Sequence, residues 1–361
     1  KFDYQELKRV FDLCLSCKAC ASECPSNVDV ASFKAEFLYQ YQKKHPPSLR
    51  TKLFANNVTY NKLGSLMPSF TNFILDTTLI KKIIGIPVER SMPKLAKRTL
   101  KKWYKLHKNR FDKVIANKGE VYLFCDEFTN FYDVKIGKDA FTLLHNLGYK
   151  VTIIDHEESG RSHISKGFLK EAKVLANKNI EVFKDCITEN TPLIGIEPSA
   201  ILTFRDEYLR LADDKKAARR LATYTFTFEE FIKREIDKGA ITTSLFTDKR
   251  KKIKIHGHCH QKSLSTIETT FAMLNLPKNY KVTILNSGCC GMAGSFGYEK
   301  EHYEVSMQVG EQSLFSKIRD MNGAIEISAA GTSCRHQIYD GTKRTAKHPI
   351  TILKEALLIN L

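Results

Sequence analysis

From Glu120 onward, short apolar runs alternate with stretches in which apolar residues recur every three or four positions. This is the pattern of strands and helices taking turns in an α/β sheet. Residues 121–124 and 151–154 read as strands, with a helix at about 140–147 between them and a third strand at 193–196. The pattern then starts again. Tyr149-Lys150-Val151-Thr152-Ile153-Ile154 is echoed by Tyr280-Lys281-Val282-Thr283-Ile284-Leu285, and each copy precedes a glycine-bearing turn. Residues 121–127 correspond to 253–259, and 194–200 to 328–334. The echo predicts two α/β halves, 119–248 and 249–361, one a pseudo-duplicate of the other.

The first part of the chain is patterned as helices. Phe2, Leu7, Val10 and Phe11 share one helical face. Asp29 is placed to cap a helix running to about Gln42, with Phe33, Phe37 and Tyr41 on its inner face and His45-Pro46-Pro47 ending it. Residues 51–118 read as an irregular helical linker punctuated by Pro68, Pro87 and Pro93. Trp103, the one tryptophan, is expected to pack this linker onto a neighbouring domain.

Composition narrows the class. A chain of 361 residues with 42% apolar residues can bury a substantial core. No run of eighteen apolar residues offers a membrane span. The net charge of +17 is concentrated between Lys81 and Lys113, where twelve Lys or Arg face only Glu89 and Asp112. A lysine-rich solvated surface is the plainest account. Peripheral contact with anionic lipid is the next, helped by Phe70, Phe73, Ile74, Leu79, Ile83 and Ile84. Nucleic acid is not expected as a partner, because no nucleic-acid motif accompanies the charge.

The ten cysteines carry the chemistry. Cys14, Cys17, Cys20 and Cys24 form a Cys-x2-Cys-x2-Cys-x3-Cys-Pro run, the spacing that holds a cubane [4Fe–4S] cluster in bacterial ferredoxins. Three thiolates of such a loop converge on one cluster, and the fourth points to a second. Residues 1–50 are therefore expected to be an all-α, ferredoxin-like segment, the C-terminal half of a two-cluster domain. The start at Lys1, inside a helix, leads to the expectation that further cysteines lie upstream.

A second set lies in the last half: Cys259, the pair Cys289-Cys290 before Gly291, and Cys334. Each follows a predicted strand, so all can meet at one end of a parallel sheet. Four thiolates suit either an iron–sulfur cluster or tetrahedral zinc. Gly288, Gly291, Gly294 and Gly297 leave backbone N–H groups free to approach the sulfurs, and this stretch also resembles a phosphate-cradling loop at a helix start. His256, His258, His260 and His336 are expected to flank the site rather than to bind metal. In the first half, the matched positions hold Glu127, Glu158-Ser159 and Ala200, so that half keeps the fold without the ligands. Cys125 and Cys186 fall outside the matched positions and are expected to be buried thiols.

These motifs resemble the iron–sulfur region of FAD-linked oxidases of the D-lactate, D-2-hydroxyglutarate and glycolate dehydrogenase type. Ser159-Gly160-Arg161, Ser165-Lys166-Gly167, Pro198-Ser199-Ala200 and Gly331-Thr332-Ser333-Cys334 add to the likeness. The cysteine-rich subunit of heterodisulfide reductases and the iron–sulfur subunit of anaerobic glycerol-3-phosphate dehydrogenase share the same repeat. Here the third residue after Cys334 is Gln337, where some of those proteins have a closing cysteine. The resemblance implies an electron-transfer portion of a dehydrogenase, fed by FAD in an upstream domain or subunit and delivering to quinone or another acceptor. It implies a cytoplasmic chain, with the inner face of the membrane as an alternative place. Alone, this chain is expected not to turn over substrate. A heterodisulfide-reductase-like catalytic subunit and a zinc-stabilised docking module are the alternatives.

Overall fold

A computed structural model describes residues 3–111 and 117–358. Phe2, Asp112 and Lys113, named above, lie outside them. The eight strands are β1 (Glu120–Phe124), β2 (Lys150–Thr152), β3 (Leu193–Gly195), β4 (Thr225–Thr227), β5 (Lys251–His256), β6 (Tyr280–Ile284), β7 (Glu326–Ala329) and β8 (Ala346–Lys347). They form two four-stranded sheets in the orders β2-β1-β3-β4 and β6-β5-β7-β8. All pairings are parallel, with Val121 opposite Val151 and Leu123 opposite Ile194 in one sheet, and Ile253 opposite Val282 and Ile255 opposite Ser328 in the other. Parallel neighbours need a long crossover, which is why a helix or loop separates each strand from the next. The fourth strand of each sheet was not foreseen. β4 (Thr225-Phe226-Thr227) carries one large apolar residue and β8 (Ala346-Lys347) none, so neither leaves an apolar run.

One apolar core runs between the sheets. Val121, Leu123, Phe228 and Phe231 of the first half join Ile253, Ile255, Met273 and Leu353 of the second in a single buried cluster. The helix Val134–Asn146 lies on Pro349–Ala356, and Phe228–Asp237 on Glu268–Leu274. Thr351 Oγ1 donates to Asp139 Oδ2 across this seam at 2.8 Å.

Among the described residues, eight helices precede β1: α1 (Gln5–Asp12), α2 (Ala19–Glu23), α3 (Val30–Gln42), α4 (Leu49–Ala55), α5 (Asn57–Gly64), α6 (Pro68–Asp76), α7 (Thr78–Ile84) and α8 (Leu100–Phe111). Asp29 caps α3 by accepting from Ser32 N at 3.1 Å, as its position suggests. Phe37 and Tyr41 are buried, but Phe33 is 59% exposed because the first turns of α3 direct Ala31 and Ala35 inward instead. Of the apolar face of α1, Phe11 packs on Phe37 with ring centroids 5.2 Å apart, while Leu7 and Val10 stay exposed. Trp103 on α8 meets Phe141 edge-on at 5.6 Å and so seats the linker on the first sheet's helices.

Not all of the basic stretch faces water. Lys81 and Arg90 are buried. Arg90 Nε donates to Gly297 O at 2.7 Å, Nη2 to Ser306 Oγ at 2.8 Å, and Nη1 to Gln337 Oε1 at 2.5 Å and Asp340 Oδ2 at 3.2 Å. One linker side chain thus ties together three segments of the second half.

Candidate metal centre

Three strand ends of the second sheet deliver the C-terminal cysteines to one place. β5 stops at His256 and the helix Cys259–Leu264 begins three residues later. β6 stops at Ile284, five residues before Cys289. β7 stops at Ala329, and Cys334 sits in the first turn of Thr332–Thr342. The thiols form a chain of contacts, Cys259 to Cys289, Cys289 to Cys290, and Cys290 Sγ to Cys334 Sγ at 3.6 Å.

The electrostatics of this cluster favour protonated thiols. The hydrogen bond to Cys289 and burial push the Cys259 thiol well above the ordinary range. Cys289, relieved by its bond to Cys259 but opposed by Cys290 and burial, is pushed up to about 12. Cys290 gains from its bond to Cys289, yet the demands of Cys334 and burial raise it strongly; Cys334, helped by Cys290, is still raised by burial. Four thiols side by side, Cys290 and Cys334 buried and Cys259 and Cys289 half-buried, hold their protons unless a cation replaces them. The donor set fits a thiophilic metal or an iron–sulfur cluster.

His256 is the residue that sequence reasoning set aside. It is buried, its Nδ1 meets Ser287 Oγ at 2.8 Å, and its Nε2 has no hydrogen-bond partner. Its ligand atom, with those of Cys290 and Cys334, forms a group lying within 4.8 Å of one another, the one such group found among the described residues. Its place as the last residue of a strand aimed at the sulfurs was the available signal. His258 and His260 line the neighbouring cavity, and His336 does not.

The glycine run is not a phosphate loop. No α-helix starts from it; a 3₁₀ turn, Phe296–Tyr298, follows instead. Only Gly291 sends its N–H to a sulfur, Cys289 Sγ at 3.3 Å, whereas Gly288 N goes to Ser313 Oγ and Gly297 N to Met292 O. Gly291 has φ +88°, and a Cβ there would lie 2.1 Å from the carbonyl oxygen of Ser306. Gly291→Ala should therefore destabilise the fold by about 2–4 kcal/mol, read as a lower denaturant midpoint.

The N-terminal run is a separate loop that touches the same space. Ser16 (φ 51°) and Lys18 (φ 63°) adopt left-handed backbone. This turns amides onto sulfur: Ser16 N reaches Cys14 Sγ at 3.4 Å, and Val30 N reaches Cys20 Sγ at 3.3 Å. Cys17 is raised by burial and by the neighbouring Cys259, Cys14 and Cys20. The Cys24 sulfur accepts from the backbone amides of Val28, Ser26 and Asn27, which lowers it. Lys18, between the second and third cysteines, is buried. Its Nζ pairs with Asp206 at 2.5 Å, Asp29 at 3.0 Å and Glu207 at 3.1 Å, and Arg161 closes the network onto Glu207 at 2.6 Å.

Cys17, Cys259, Cys289, Cys290 and Cys334 line one cavity of about 190 Å³. Its far wall comes from the first half: Arg161, Ser199 and Glu197. Glu197 crosses between the halves, accepting from Thr332 N at 2.8 Å and lying 3.5 Å from His258 Nε2.

At two of the matched positions of the first half, Glu127 and Ser159, protein groups satisfy one another, while Glu158 Oε2 is buried without a hydrogen-bond partner. Ser159 gives both its N–H (3.0 Å) and its hydroxyl (2.6 Å) to the buried carboxyl of Glu127. Burial pushes Glu127 up, and burial with the charge of Glu127 pushes Glu158 to about 8. Ser159→Ala should cost about 1–3 kcal/mol in chemical denaturation, because it strips one partner from a buried acid. Cys125 is buried, as expected, but Cys186 is only half-buried, its thiol directed at Val182 O.

Comparisons with known proteins add names. No family model matches the chain. It is 28% identical over 375 residues to D-2-hydroxyglutarate dehydrogenase of Haemophilus influenzae, covering 98% of this chain and 35% of that protein. The Escherichia coli protein of the same name is 25% identical over 378 residues, with 99% and 35% covered. One component of the Escherichia coli anaerobic glycerol-3-phosphate dehydrogenase, its C subunit, is 27% identical over 347 residues, covering 92% of this chain and 83% of that polypeptide. The chain thus spans about a third of the length of the D-2-hydroxyglutarate dehydrogenases (35%).

Proposed function

We propose that this chain is the iron–sulfur electron-transfer portion of an FAD-linked oxidoreductase acting on a D-2-hydroxy acid, with quinone or another carrier as acceptor. The observation that carries the reading is the shared cavity, into which Cys17 of the N-terminal loop and all four C-terminal cysteines open. The names of the relatives supply the reaction class.

In this reading Cys14, Cys17 and Cys20 hold one [4Fe–4S] cluster, and Cys24 serves a second, completed from outside this chain. Cys259, Cys289, Cys290 and Cys334 hold the other centre, with His256 as a further donor. Such clusters accept electrons singly, as a flavin reduced by a hydride requires. The chain's own residues set the conditions. The amides of Ser16, Val30 and Gly291 neutralise sulfur charge, and Lys18 locks the first loop against the first half. The common strand order of the two sheets supports descent of residues 119–248 and 249–361 from one ancestral unit, of which the second kept its ligands. A cytoplasmic setting, with access to the inner face of the membrane, suits this role.

A histidine among the thiols also suits zinc, the basis of the docking-module alternative. Metal and sulfide analysis of anaerobically purified protein separates the two. Iron with matching acid-labile sulfide, bleached by dithionite, is expected. Zinc without iron would sink the proposal. So would oxidation of D-2-hydroxy acids by this chain with no flavoprotein added.

A further inference from the structure

The helical linker carries a pair of helices turned inside out. α6 buries no residue, and α7 buries a single one, Lys81. The Lys81 ammonium points inward, donating to Arg90 O at 2.8 Å and pairing with Asp76 at 2.9 Å. Of the apolar side chains, Ile74, Leu75, Ile80 and Ile84 are half-buried and the others point outward. Leu66 is 76% exposed, Met67 63%, Phe70 56%, Phe73 72%, Leu79 68% and Ile83 65%. A helix pair folded against water alone would place these the other way round.

The surroundings are basic. Lys62 and Lys82 are exposed on α5 and α7 themselves. Lys94, Lys97 and Arg98 are held beside α6, because Asn72 clamps Leu95 through both its amide oxygen (2.8 Å) and its amide nitrogen (2.9 Å). Of the exposed acids nearby, Asp76 is committed to Lys81 and Glu301 to Arg50, which leaves Glu89. Among the described residues no helix is long and apolar enough to cross a membrane.

We propose that the α6–α7 pair docks flat on an anionic lipid bilayer, with its phenylalanines and leucines at the acyl boundary and the lysines among the headgroups. Apolar side chains ringed by one sign of charge are what an interfacial helix presents. A second copy of this chain is a poorer occupant, since it would bring like charges together. The surface stands independently of the metal content.

The test is co-sedimentation of the full chain with vesicles of phosphatidylcholine alone and of phosphatidylcholine mixed with phosphatidylglycerol. Binding to the mixed vesicles at least about tenfold above the neutral ones, and released by high salt, is expected. Lys82→Ala/Lys97→Ala should weaken it about thirtyfold. Phe73→Ser/Ile83→Ser, at exposed positions, should weaken it at least about tenfold with the unfolding midpoint unchanged. Equal binding to both vesicle types, or no effect of either double variant, overturns the proposal. So does a wild type that ignores vesicles while Phe73→Ser/Ile83→Ser disrupts a dimer or a complex with a flavoprotein.

Discussion

Cys290→Ser should empty the C-terminal centre. Cys290 is the middle of the thiol chain, in contact with Cys289 on one side and Cys334 on the other, and it belongs with His256 to the tight group of donors. A serine hydroxyl does not ionise at neutral pH and is a poor ligand for a soft metal. Loss of a partner that merely orients a ligand costs about 10–100-fold in metal affinity, so loss of the ligand should exceed about 100-fold. The measurement is metal per chain after anaerobic purification, with electron transfer to an artificial acceptor beside it. The N-terminal loop is a separate segment, so iron bound there should persist. If Cys290→Ser retained the full metal content, the C-terminal cysteines would not be the binding set.

Lys18→Ala should be the most destabilising change away from the sulfurs. The lysine is 2% exposed and sits among Asp29, Asp206 and Glu207. Removing it leaves three carboxylates crowded around a void, a loss of about 3–5 kcal/mol by analogy with other buried ion pairs. The network also sets the response to acid. Against the cost of burial, Arg161 and Lys18 hold Glu207 down at about 2, below the ordinary value of 4.5. A depressed acid contributes stability above its unfolded value and loses it as the pH falls through its folded one. Wild-type protein should therefore lose stability between about pH 4.5 and pH 2, and Lys18→Ala should narrow that loss. Acid titration of the unfolding midpoint checks both. Equal slopes in the two proteins would show that Lys18 does not govern Glu207.

Much of this arrangement was legible before any coordinates. Period-two and period-four patterns located β1, β5, β6 and the helix capped by Asp29, because those elements bury one face. Spacing alone gathered Cys259, Cys289, Cys290 and Cys334, because strands of a parallel sheet end on one side. What escaped was tertiary. No local rule distinguishes Lys18 or Lys81 from the solvated lysines around them; their burial comes from Asp206, Glu207 and the Arg90 carbonyl, outside their own helical turns. His256 looked like one of several flanking histidines until β5 aimed it at the sulfurs. The glycine run promised a helix start, but Gly291 N–H was already committed to Cys289.

The buried Arg90 has a bearing on how this lineage can change. The amide oxygen of Gln337 receives the Arg90 guanidinium at 2.5 Å while its amide nitrogen binds Ser306 O at 3.0 Å. A cysteine arriving at 337 alone would strip one bond from the buried guanidinium, which keeps Asp340, Ser306 and Gly297, and loss of Arg90 alone would take that donor from the amide oxygen of Gln337. Either change alone costs a buried hydrogen bond, so the two positions are energetically coupled. The residue three places after Cys334 is in this way tied to the seating of the linker, and the two cannot be altered independently.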